Sequence, residues 1–122
     1  MAAFLLVKNQ SSYKIEKALS YFKERGFASP TQLEVGDFVF YFYKKIAVDT
    51  VFCIKENDHQ LFICGTLVYQ SLSHKQSVEL LFQDLIEGKF DEQKLLGNFC
   101  IIHIHKNDIC LYSDALGIQN IY

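Results

Sequence analysis

The sequence predicts an α+β fold, a mainly antiparallel sheet covered by helices, in the order β-α-βββ-α-ββ. Three observations carry this. Two stretches repeat apolar residues at helical spacing, and each ends on a glycine. Aromatic and β-branched runs of strand length lie between and after them, and clusters of polar turn residues separate those runs. With 122 residues, 50% of them hydrophobic and 21% charged, the chain suits one ordered domain over residues 1–122.

Ala2–Lys8 reads as a first strand, apolar enough to be central. Ser11-Ser12 offers a helix N-cap and Gly26 a stop, with Ile15, Ala18, Leu19 and Phe22 forming one apolar stripe between them. Pro30 closes this segment, because proline disfavours helical geometry in the residue before it. Asp37–Lys44, dense in aromatics, predicts a strand buried on both faces. Asp49–Lys55 follows after Lys45–Val48, and Gln60–Val68 after the polar turn Glu56–His59, giving two adjacent hairpins. Ser73 and Gln76 have the spacing of a capping box, and Val78, Leu81, Phe82 and Leu85 continue it as a second amphipathic helix ending at Gly88. Asp91–Leu96 predicts a short helical turn.

The rest of the chain is organised around Gly97–Tyr122. Phe99, Ile101, His103 and His105 alternate with Cys100, Ile102 and Ile104, as a largely buried strand requires. Lys106-Asn107-Asp108 is the turn and Ile109–Tyr112 the returning strand. A corner at Ser113–Gly117 leads to the final tyrosine.

Read as G-x-F, strand, turn, strand, then D-x-x-G-I-x-x-I-Y, this segment resembles the amino-terminal glutaminase-type domain of asparagine synthetase-like proteins. Gly97 and Phe99 match its start, and Asp114, Gly117, Ile118, Ile121 and Tyr122 its end. Ser113 stands where that family has arginine, and Asn120 where it has proline. Arg25-Gly26 occupies the place of the family's R-G-P-D. Cys64-Gly65-Thr66-Leu67-Val68-Tyr69 occupies that of N-G-E-I-Y-N. The resemblance implies the N-terminal-nucleophile (Ntn) hydrolase fold, with helix layers sandwiching two antiparallel sheets.

The chemistry of the family is not retained. Its nucleophile is a first-position cysteine with its own α-amine as base; the corresponding position is Ala2, which has no nucleophilic atom. Cys64 replaces the oxyanion-hole asparagine, leaving Gly65; losing such a donor costs on the order of 3 kcal/mol of transition-state stabilisation. The segment matching the family's substrate-binding arginine offers only Lys44 and Lys45, which cannot form a bidentate fork. The resemblance therefore implies a degenerate, non-catalytic glutaminase-like domain. It would act as scaffold for an ATP-dependent, asparagine synthetase-like amide ligase, its partner an ATP-pyrophosphatase-type synthetase domain in cis or in trans. The family continues with further strands where this sequence stops, so the expectation is either a fragment of a longer protein or a shortened version. An uncovered sheet edge would then favour a homo-oligomer or a partner. The alternatives are a small-ligand, amino-acid-binding module, or an enzyme with altered chemistry using Cys64 or His103 and His105.

Other classes weigh less. Net charge is −2 and Arg25 is the only arginine, which argues against nucleic acid as partner. The aromatic run Phe38–Tyr43 then reads as core rather than a base-stacking platform. No apolar run nears the roughly 20 residues that span a bilayer, so no membrane partner and a cytoplasmic location are expected. Cys53, Cys64, Cys100 and Cys110 all lie in apolar runs, as reduced core thiols do. His103-x-His105 places two imidazoles on one strand face. A third metal ligand would have to come from His59, His74 or an acid, and no local spacing supplies one. No metal or cofactor is therefore expected.

Overall fold

The computed structural model describes residues 3–8, 12–43 and 53–114. The chain is α+β, with two helices and two antiparallel sheets, and it divides into two compact units, Met1–Ala47 and Val48–Tyr122.

In the first unit, β1 (Ala3–Lys8), β2 (Thr31–Val35) and β3 (Phe38–Tyr43) form a sheet in the order β1-β3-β2, with α1 (Ser12–Glu24) against one face. Alternation places Ala3, Leu5 and Val7 on the same face as Val39, Tyr41 and Tyr43, and Ile15, Leu19, Phe22 and Phe27 cover them. The Phe22 ring stacks on Tyr43 at 4.5 Å, and Phe27 meets Tyr43 edge-on at 5.5 Å. Phe27 reaches that position because Gly26, at φ 79°, reverses the chain and lets the Phe27 amide donate to the Phe22 carbonyl at 3.1 Å.

Two expectations for this unit need correction. β1 was expected to be central, yet among the described residues it borders β3 alone and is half-buried. β3, buried at every position from Val39 to Tyr43, takes the centre. Thr31–Val35 was not expected to be a strand. It places Leu33 and Val35 on the face that carries Phe40, with Gln32 and Glu34 on the face that carries Tyr41 and Val39, and a turn at Gly36-Asp37 pairs it with β3. Asp37–Lys44 and Asp49–Lys55 consequently do not form a hairpin among their described residues; β3 and β4 belong to different sheets.

In the second unit, β4 (Cys53–Glu56), β5 (His59–Tyr69), β6 (Leu95–His105) and β7 (Asp108–Ser113) are hydrogen-bonded in sequence order. α2 (His74–Glu87) connects β5 to β6 and lies on one face of their sheet. Val78, Leu81 and Phe82 pack there against Leu61, Ile63, Leu67, Phe99 and Ile101. Gly88, left-handed at φ 69°, ends α2 as expected. Ser73 does occupy the N-cap, but its hydroxyl bonds the Gln76 side chain at 2.8 Å instead of a backbone amide, so the capping box is incomplete. The first turn is secured elsewhere. Ser77, fully buried, accepts from the Tyr69 amide at 2.8 Å and donates to the Leu72 carbonyl at 3.0 Å.

Tyr69 ties the connection together. Its ring is fully buried, its hydroxyl donates to Asp84 on α2 at 2.8 Å, and the same oxygen accepts from the Asp91 amide at 3.2 Å. Asp91 in turn caps the short 3-10 turn Glu92–Lys94 through the Gln93 amide at 3.1 Å. No helix among the described residues is long and apolar enough to cross a membrane.

Replacing the buried ring in Phe82→Ala is expected to cost about 3–5 kcal/mol by cavity formation, read as a lower urea midpoint. Tyr69→Phe, which takes one partner from the Asp84 carboxylate, still bonded by Gln70, and one from the Asp91 amide, should cost about 0.5–1.5 kcal/mol. Leu96→Ala, at a position 66% exposed, should leave the midpoint nearly unchanged.

Candidate functional site

The residues singled out from the sequence separate into two groups. Arg25 and Gly26 sit at the exposed end of α1 in the first unit, where the Arg25 guanidinium lies 5.0 Å from the Tyr21 ring centre. Gly65, Gly97, Phe99 and Asp114 come together in the second unit. Ala2, Lys44, Lys45, Gly117, Ile118, Asn120, Ile121 and Tyr122 lie outside the described residues.

The second group is built on the β5–β6 ladder. Gly65 faces Phe99 and Gly97 faces Leu67, two rungs apart. Both glycines have positive φ, 96° and 129°, within a region that side chains rarely adopt. Space is closed to a side chain as well. A methyl group on Gly65 would strike the Asn98 carbonyl, and one on Gly97 the Thr66 carbonyl. Each glycine thus lets the partner backbone approach from the opposite strand. Asp114, buried at the end of β7, donates its amide to the Phe99 carbonyl at 3.1 Å, which fixes the chain as it leaves the sheet.

Cys64 adjoins Gly65 and faces Cys100 across the ladder; both are buried and free. Burial, followed by the neighbouring Cys100, pushes the Cys64 thiol up to about 12. Burial and the Asp114 carboxylate push Cys100 up to about 11. A thiol in this state is protonated at neutral pH and makes a poor nucleophile. The other two cysteines correct the core-thiol expectation: Cys53 and Cys110 are exposed. They lie on β4 and β7, the outer strands of the sheet, whereas Cys64 and Cys100 lie on the inner pair.

A cleft of about 440 Å³ opens beside the glycine rungs, where Phe90, Leu95, Phe99 and Tyr112 supply apolar wall and Glu92 and Ser113 polar groups. Phe90 and Tyr112 meet edge to face at 5.0 Å. Burial is the main cause raising the Tyr112 hydroxyl above the usual tyrosine value. Its volume falls within the range of small-molecule clefts, and it is broadly open to solvent.

At the opposite end of the same ladder three imidazoles meet. His59 faces His105 directly, their rings stacked 4.0 Å apart and parallel within 3°. His59 Nδ1 lies 3.0 Å from His103 Nε2. The sequence had paired His103 with His105 and left His59 a remote possibility. Only the register, which spans the whole of α2, brings His59 beside them. The His59 and His103 ring centres are 5.3 Å apart with the planes within 10°. That separation leaves room for little more than the nitrogen gap and two ring radii, so the nitrogens point head-on, as in an N–H···N hydrogen bond. Among the described residues no three His, Cys, Asp or Glu side chains are arranged to hold a metal ion.

Searches of the chain against family models and curated proteins, and of its structure against solved structures, return no match.

Gly65→Ala and Gly97→Ala should each destabilise the second unit, the clash and the positive φ outweighing the gain of up to about 1 kcal/mol that this exchange ordinarily brings within a strand, with a lower urea midpoint as the readout. Under a thiol-reactive dye near neutral pH, Cys53 and Cys110 should label within the mixing time. Cys64 and Cys100 should label only on unfolding, as mass spectrometry of the peptides would show.

Proposed function

We propose that this chain is a degenerate glutaminase-type domain with an Ntn-hydrolase-like fold, and that it serves as a non-catalytic scaffold for an ATP-dependent, asparagine synthetase-like amide ligase. The observation that carries this reading is the contrast within one pair of adjacent residues. Gly65, the retained family glycine, occupies a backbone geometry that a side chain would block. Cys64, which replaces the family's oxyanion asparagine, is buried and fully protonated at neutral pH. The framework position keeps its demand and the chemical position has lost its donor.

Further support comes from elements that the same resemblance names. Phe99 and Gly97 flank the ladder, Asp114 ties the exit of β7 to Phe99, and α2 occupies the place of the helix before G-x-F. A domain of this kind contributes buried surface and geometry to a ligase, while ammonia or an amine is supplied elsewhere.

A second reading, binding of an amino acid or similar small molecule without hydrolysis, is favoured by the cleft of about 440 Å³ with Glu92 and Ser113 among its walls. It is compatible with a scaffold role.

Purified protein supplied with glutamine should release ammonia no faster than the buffer blank, and restoring a donor in Cys64→Asn should not change this while Ala2 stands at the nucleophile position. Glutamine hydrolysis that co-purifies with the chain and disappears on substitution of one of its own residues would overturn the reading. Calorimetric titration with glutamine, asparagine and ATP tests the cleft; heat that vanishes in Ser113→Trp supports ligand binding there, and no heat with any of the three removes it.

A further inference from the structure

We propose that His59, His103 and His105 form a proton-operated latch at the turn end of the four-stranded sheet, closed while His59 and His103 share one hydrogen-bonded proton and opened when both are protonated. The head-on contact of 3.0 Å sets the logic. With both rings neutral, one donates and the other accepts. Adding one proton keeps the bond and makes it charge-assisted. Adding the second turns acceptor into donor, so two N–H groups and two positive charges face each other at hydrogen-bond distance. His105 is stacked on His59 at 4.0 Å, so a charge on His59 also faces that imidazole.

The surroundings decide where each proton goes. Glu56 on β4 and Asp58 in the β4–β5 turn favour charge on His59, whereas Lys106 in the β6–β7 turn and His105 oppose it. On β7, Asp108 faces His105 and Cys110 faces His103. From α2, Gln83 bonds Glu56 at 3.2 Å and brings no charge. His103, only 9% exposed, faces no carboxylate across the ladder and sits between Leu61 and Cys110. The second proton therefore enters the most buried of the three rings.

Both His59 and His103 titrate below the ordinary imidazole value of about 6.5, burial being the largest cause for each, followed for His103 by the neighbouring His59 and His105. Below that value the opened end binds more protons than the closed one. The latch is fully closed above the ordinary imidazole range and loosens as the pH falls through the lowered values. What loosens is set by the hydrogen bond joining the two turns, in which the Lys106 amide donates to the Asp58 carbonyl at 3.3 Å. The Tyr69 end, where His74 of α2 meets the Leu67 backbone at 3.3 Å rather than a second imidazole, stays paired.

Native-state hydrogen exchange followed by NMR on the full chain tests this, using protection factors so that the intrinsic pH dependence of exchange cancels. Protection at the Lys106 amide should drop at least about tenfold between about pH 7.5 and about pH 5, while protection at the Tyr69 amide changes less than about twofold. In His59→Asn the acid-induced drop at Lys106 should shrink to the Tyr69 level. If that variant fails to fold, the imidazole titration of the unaltered protein decides: His59 and His103 should take up protons in two separated steps. A single ordinary step for both, an equal loss of protection at the two ends, or an undiminished drop in a folded His59→Asn would overturn the proposal.

Discussion

The second unit depends on one continuous antiparallel pairing. β5 and β6 each contribute 11 residues, and every rung from His59–His105 to Tyr69–Leu95 is formed. Period-two alternation then sorts the side chains without further instruction. Leu61, Ile63, Leu67, Phe99 and Ile101 go to the α2 face, and Phe62, Cys64, Cys100 and Ile102 go to the other. A slip of one residue would exchange these sets and bring the two glycines opposite side chains that do not permit the close approach. Gly65 and Gly97 therefore act as register marks as much as flexible positions.

Three local chemistries follow from where each residue falls on that ladder. Cysteines on the inner strands are shielded and hold their protons; cysteines on the outer strands are open to reagents. Histidines at the turn end meet nitrogen to nitrogen. The tyrosine at the helix end meets a carboxylate and an amide, and so fastens the sheet to α2 and to the turn after it. None of these needs a special motif. Each is an ordinary side chain whose partner is chosen by pairing.

The same dependence explains what could be read in advance. α1 and α2 were legible because their stripes are local: Ile15, Ala18, Leu19 and Phe22, then Val78, Leu81, Phe82 and Leu85, repeat within a few turns and stop at Gly26 and Gly88. β3 was legible from its unbroken aromatic run. Thr31–Val35 escaped notice because only Leu33 and Val35 are apolar, too few to outweigh Pro30 beside them. The glycine at 65 was noticed through a resemblance, but its physical reason, the Asn98 carbonyl in the space of a missing methyl, exists only once β6 is alongside. His59 was the least legible of all, since the residue that matters to it lies 44 positions away. The exposure of Cys53 and Cys110 was equally hidden, because a strand's own sequence does not announce whether it borders one neighbour or two.

The nesting of α2 inside the ladder also orders its assembly in time. Pairing Tyr69 with Leu95 closes the shortest loop of the set, and every rung toward His59–His105 closes a longer one. The entropy of closure is met most cheaply at the helix end, after which each new rung adds only a little more ordered chain. Ser77 and Asp84 already engage Tyr69 there, so the cheapest contact is also the best anchored. By the entropy of closure alone, pairing between β5 and β6 is cheapest to begin at α2 and costliest to begin at the imidazole cluster.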